Sequence, residues 1–111
     1  MANVIISPEA EKDLKRIGDY IACESGSPKI ALNIIRKMKT RIDELSEFPL
    51  IGKSLSSIIF VDTDYRFLGC GNYLAFYRFY NDDVFIDRIF HGRQDYISLL
   101  FGDLTNENDV Y

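Results

Sequence analysis

The chain predicts an α+β fold, with an N-terminal strand and an antiparallel helical hairpin packed on a mainly antiparallel β-sheet. Three observations carry this. Tyr73–Tyr80 and Val84–Phe90 are dense aromatic and β-branched runs split by Asn81-Asp82-Asp83, the pattern of an antiparallel hairpin. Ser7-Pro8 and Ser27-Pro28 each open a stretch with apolar residues at helical spacing. The helical patterns precede the main strand patterns, so helices and sheet segregate into two layers that share one core.

Taken in order, Asn3-Val4-Ile5-Ile6 reads as a short first strand. Ser7 then supplies an N-cap and Pro8 a preset first helical residue, while Glu9 and Glu11 face the positive end of the helix dipole. Ala10, Leu14, Ile17 and Ile21 repeat at helical spacing, which predicts a helix over about Pro8–Ile21 that stops near Ser25-Gly26. The second helix, over about Pro28–Leu45, turns Ala31, Ile34, Ile35, Met38, Ile42 and Leu45 inward and is closed by Phe48-Pro49. Leu50–Ser57 reads as a loop pivoting on Gly52, and Ile58–Val61 as a further extended piece. Tyr65–Leu68 is the first strand of a three-stranded meander, with Gly69-Cys70-Gly71-Asn72 as its turn. A short helix or turn is expected from Tyr96. One domain is expected over residues 1–104, and the polar residues 105–111 read as a mobile acidic tail.

At 111 residues the chain suits a single core. Its net charge of −4 argues against free nucleic acid as the main partner, because phosphate binding is driven by clustered cations. No run is long enough to span a bilayer and no basic segment with a following apolar stretch opens the chain, so a cytoplasmic protein without membrane contact is expected. Cys23, Cys70 and one histidine fit no spaced metal motif; neither a metal nor a cofactor is expected, and the thiols read as reduced. Lys29, Arg36, Lys37, Lys39 and Arg41 form a basic group with no acid among them.

The candidate chemistry lies at the end of the last strand. His91 is the single histidine, with Arg93 two residues on and Tyr96 after it; Arg66 and Arg88 are further candidate cations. Histidine suits proton transfer near neutrality, arginine suits phosphate charge, and tyrosine offers a hydroxyl or a stacking ring. Each has a plainer reading too. A strand-end histidine often only packs, and Arg88, read on the face of Val84, Ile86 and Phe90, would lie over the core or pair with Asp87 or Asp64. Tyr65, Tyr73, Tyr77 and Phe79 read as packing, and the basic group as a solvated helix face.

Over residues 3–100 the chain resembles the ParE/RelE superfamily of type II toxin-antitoxin toxins. The resemblance rests on the Ser-Pro-Glu-Ala start of the first helix, Phe48-Pro49-x-x-Gly52, Tyr65-Arg66, the aromatic strand, and Arg88-x-x-His91-x-Arg93. It implies a small bacterial toxin neutralised by a cognate antitoxin, in a hetero-oligomeric complex. It also implies one of two targets. ParE-like members inhibit DNA gyrase without catalytic residues of their own; RelE-like members cut messenger RNA on the ribosome without metal. A third reading is an inert member that keeps only antitoxin binding. On the nuclease reading His91, Arg93, Arg66, Tyr96 and Arg88 would be catalytic. Leu74, however, stands where RelE-like nucleases usually carry an arginine, and this tips the expectation towards gyrase. Ile34, Ile35, Arg36, Lys39 and Arg41 are the expected antitoxin-binding residues, since two adjacent isoleucines cannot both face one core centre.

Overall fold

The computed structural model describes residues 1–57 and 62–101; the expected extended piece at 58–61 and the expected tail lie outside the described residues. Strand β1 (Asn3–Ile6) leads into helix α1 (Pro8–Ser25) and helix α2 (Pro28–Asp43). A short β2 (Lys53–Ser54), then β3 (Arg66–Cys70), β4 (Tyr73–Tyr80) and β5 (Asp83–His91) follow, and α3 (Tyr96–Phe101) comes last. The fold is α+β as expected. The five strands lie in the order β1-β5-β4-β3-β2, antiparallel except that β1 pairs parallel to β5.

Both Ser-Pro starts form as the sequence predicts. Ser7 Oγ accepts from the Ala10 N–H at 2.9 Å and Ser27 Oγ from the Ile30 N–H at 3.2 Å, with proline opening each helix. Gly26 ends α1 at φ 67°, the left-handed conformation a side chain disfavours. The second helix ends sooner than expected, at Asp43, and tightens into a 3₁₀ turn over Glu44–Ser46 that still buries Leu45. The β4–β5 connection is a two-residue turn at Asn81-Asp82, both with positive φ, so Asp83 belongs to the strand. Cys70 likewise belongs to β3, and the turn before β4 is Gly71-Asn72.

Lys53–Ser54 was expected as loop and instead pairs with Phe67 and Arg66 as the edge strand. Gly52 makes that pairing possible. A Cβ there would lie 2.6 Å from the Tyr77 hydroxyl and 2.7 Å from the Phe67 carbonyl oxygen. The buried Tyr77 hydroxyl donates to the Pro49 carbonyl at 2.8 Å and accepts from the Gly52 N–H at 3.0 Å, which fastens the segment after α2 to the centre of the sheet.

The sheet is apolar on both faces. Its inner face packs Tyr77, Val84, Ile86 and Ile89 against Ala10, Leu14, Ile17, Met38 and Ile42 of the helical hairpin. Its outer face gathers Phe76, Phe90 and Leu55, and α3 lays Tyr96, Leu100 and Phe101 over them. A break in register sets which β5 residue faces which layer. Phe76 pairs with Arg88 and Tyr77 with Ile86, so Asp87 is an extra residue on β5. Past this bulge the alternation is displaced by one: Ile89 joins Val84 and Ile86 inside, and Phe90 faces out. The expectation that Arg88 shares the face of Val84 and Ile86 is corrected accordingly, because strict alternation along β5 is interrupted at Asp87.

Candidate functional site

The end of β5 is built as a tight, self-bonded corner. The His91 N–H donates to Gln94 Oε1 at 2.9 Å, the Gln94 N–H to the His91 carbonyl at 3.0 Å, and the Arg93 N–H to His91 Nδ1 at 3.0 Å. The Gly92 N–H donates to the Asn72 carbonyl at 2.9 Å, tying this corner to the β3–β4 turn. With Nδ1 accepting, the proton of the neutral imidazole belongs on Nε2. The His91 ring meets Tyr73 edge-on, 5.2 Å between centroids, beside Ile17 and Tyr20 of α1.

The other expected site residues go elsewhere. Tyr96 stacks on Phe76 at 5.1 Å on the outer face, away from the α1 side that His91 occupies. Arg66 donates to the Gly52 carbonyl at 2.8 Å and lies opposite Tyr77, four ladder rows from the Tyr73–His91 pair, about 13 Å along the sheet. Arg88 grips Asp13 with Nε at 2.8 Å and an η nitrogen at 3.0 Å, its guanidinium 4.5 Å above the Phe90 ring. The Arg88 partner is thus Asp13 rather than Asp87 or Asp64, and the hydrogen bond to Asp13 holds the Arg88 pKa above its ordinary value. Arg93 is exposed. Only His91, Arg93 and, across the turn, Asn72 and Tyr73 form one locale.

Asp13 was not singled out by the sequence reading, and it is the one fully buried charged residue among those described. Besides Arg88 it accepts from Arg16 at 3.1 Å and from the Ile89 N–H at 2.9 Å. Strand β1 has ended by then, so Asp13 takes the N–H that a longer strand would have paired; Ser7 Oγ does the same for the Asp87 carbonyl at 3.0 Å. A signal was present. Position 13 falls between Ala10, Leu14 and Ile17 on the buried helix face, where an unpaired carboxylate is untenable.

Asp87, the bulge residue, accepts from the Tyr65 hydroxyl at 2.8 Å and from Arg78 at 3.0 Å. Burial, reinforced by this bond to Asp87, pushes the Tyr65 phenol up to about 12. Burial also raises the Tyr77 phenol and takes the Cys70 thiol to about 11.

The five residues expected to meet an antitoxin lie along α2. Ile35 faces the groove between α1 and α2 with Leu14, Gly18, Ala31 and Lys39, whereas Ile34 faces the other way, beside Met38, Arg41 and the β3–β4 turn. The two isoleucines therefore serve two surfaces. Arg36 and Lys39 are exposed; Arg41 is half-buried, bonded to the Gly69 carbonyl and paired with Glu44.

The family model described as the ParE toxin of the type II toxin-antitoxin system, parDE, matches residues 4–96, from β1 to the first residue of α3. The chain belongs to the ParE toxin family. Similar solved structures agree with this in fold. A chain of the chromosomal ParDE system from P. aeruginosa superposes with a TM-score of 0.70 at 22% identity, covering 82% of this chain and 96% of that one. A chain of the RelBE2 toxin-antitoxin complex from Mycobacterium tuberculosis gives a TM-score of 0.55 at 22% identity, covering 81% and 96%. No curated protein matches the sequence significantly. The likeness to both a ParDE and a RelBE structure is a likeness of architecture. The residues of this ParE-family chain must therefore argue for its target.

Proposed function

We propose that this ParE-family toxin arrests bacterial growth by binding and poisoning DNA gyrase through protein–protein contact, without cleaving RNA itself. The observation that carries the reading is the dispersal of the nuclease candidates. His91 faces α1 while Tyr96 lies on the opposite face of the sheet, and Arg66 and Arg88 spend their guanidinium groups on Gly52 and Asp13. Metal-free RNA cleavage requires an acid, a base and cations around one phosphate. Leu74, in the place of the missing cation, packs into the outer apolar cluster.

The surfaces suit protein contact. Phe48, Leu50 and Ile51 are exposed beside Phe79, forming an apolar corner that a protein partner would cover. The groove between α1 and α2 has an apolar floor at Leu14 and Ile35 and a mixed-charge rim of Glu11, Lys15, Asp19 and Lys39. An amphipathic antitoxin helix fits this groove at Ile35 and Lys39, and contact with Ile34 and Arg41 requires the antitoxin to continue over α2 to the side of the β3–β4 turn.

Induction of the toxin in bacteria tests the reading. We expect arrested division with DNA-damage signalling, intact messages by primer extension, and rescue by the co-encoded antitoxin. Codon-positioned message cuts without damage signalling would favour the ribosome-dependent nuclease instead.

A further inference from the structure

Between α1 and the ends of β4 and β5 lies a half-open cavity of about 510 Å³ with Ile17 and Ile89 in its wall. We propose that this cavity binds a nucleotide-sized phosphomonoester.

Its polar lining is rich in hydrogen-bond donors. Arg16, Tyr20, Tyr73 and His91 all border it, and Asn72 closes the turn side. The Arg93 N–H occupies His91 Nδ1, which leaves Nε2–H as the free donor of the neutral ring. Among the described residues, no hydrogen bond engages this nitrogen, either tyrosine hydroxyl or the Asn72 amide. Burial, with Tyr20 close by, holds the Tyr73 phenol in its protonated, donating form. The obvious competing acceptor, Gln94 Oε1, is taken by the His91 N–H.

Charge points the same way. Arg16, the cation bordering the cavity, gives one η nitrogen to Asp13 at 3.1 Å, and its other guanidinium N–H groups have no protein acceptor among the described residues. A guanidinium beside several neutral donors and few acceptors recognises an oxyanion. Size and shape add the rest. The volume lies within the roughly 300–1,000 Å³ typical of small-molecule sites. Tyr20, 61% exposed at the rim, presents a ring on which a base can stack. Of the groups bordering the cavity, His91 alone belongs to the nuclease set, and the inference does not depend on the gyrase reading.

Titration of the full ¹⁵N-labelled chain with adenosine 5′-monophosphate, inorganic phosphate and adenosine tests it. The expected result is saturable shifts by the nucleotide at residues 16–20, 72–73 and 91–94. Phosphate should shift mainly 73 and 91–94 with lower affinity, and adenosine should be weakest. Tyr73→Phe keeps the ring against His91 and removes the hydroxyl; it and Arg16→Ala should each weaken the nucleotide about tenfold, the cost of one lost hydrogen bond to a charged group. Tyr20→Ala, at an exposed position, should weaken the nucleotide but not phosphate. Absence of saturable shifts at these residues, or undiminished nucleotide binding in both Tyr73→Phe and Arg16→Ala, would overturn the site. Equal affinity for phosphate and nucleotide would overturn the nucleotide assignment.

Discussion

Asp13 and Arg88 stand 75 positions apart in the sequence and are joined by two parallel hydrogen bonds of 2.8 and 3.0 Å. The pair clamps α1 to β5 at the point where β1 stops, and the same carboxylate accepts from the buried Ile89 N–H. It therefore fixes the strand that carries His91. Removing the carboxylate strands a partly buried guanidinium and a buried backbone donor together. Asp13→Ala is expected to cost about 3–5 kcal/mol in urea unfolding, the usual cost of breaking a buried pair from one side. Asp13→Asn, which keeps the shape and some acceptor capacity, should cost clearly less. Equal stability of Asp13→Ala and the parent would contradict the clamp.

A second prediction concerns Gly52 and Tyr77. Gly52→Ala places a methyl within 2.7 Å of the Phe67 carbonyl, a backbone atom that cannot swing away. Loss of about 1–3 kcal/mol is expected from this overpacking. Tyr77→Phe leaves the Gly52 N–H and Pro49 carbonyl without their shared partner, for a loss of about 1–3 kcal/mol. Because both changes strike one contact, the double variant should lose less than the sum of the two.

Much of this architecture was legible in the sequence, and the illegible parts have physical causes. Serine-proline starts and an aromatic hairpin are local signals, since the cap and the turn are satisfied within a few residues. Lys53–Ser54 shows no strand pattern; it is extended because Tyr77, far along the chain, anchors Gly52 beside it. The bulge at Asp87 depends on how β4 and β5 register, which alternation alone does not encode. That bulge decided the face of Arg88, and hence which site residues meet. Tyr96 follows His91 by five positions yet turns to the other face, because α3 packs its ring on Phe76.

Alkaline conditions should weaken the fold through groups held protonated in it. Cys70 rises from 9.0 to about 11 and Tyr65 from 10.0 to about 12. Each pKa is higher folded than unfolded, so the unfolded chain releases its proton first and stability falls as pH rises. The urea midpoint should hold up to about pH 9 and decline from there towards pH 12, with Tyr65→Phe lessening the fall above pH 10. A midpoint that stays constant across this window would contradict the account.

His91→Ala and Arg93→Ala test the plainer role of the β5 corner. Both side chains lie at the surface end of the strand, so each change should shift stability by no more than about 0.5–1 kcal/mol. On the gyrase reading each should leave growth arrest intact. Leu74→Arg should not confer message cleavage, because one added cation on the outer face does not gather His91, Arg66 and Tyr96 around a phosphate.

The most direct measurement places the purified toxin with purified DNA gyrase and relaxed plasmid. Supercoiling should be lost, or cleaved gyrase–DNA complexes trapped, as toxin is added, and the parent and His91→Ala proteins should act alike. Addition of the cognate antitoxin should restore supercoiling. Untouched supercoiling at doses that arrest growth, with ribosome-bound messages cut by the parent protein and spared by His91→Ala, would contradict the proposal.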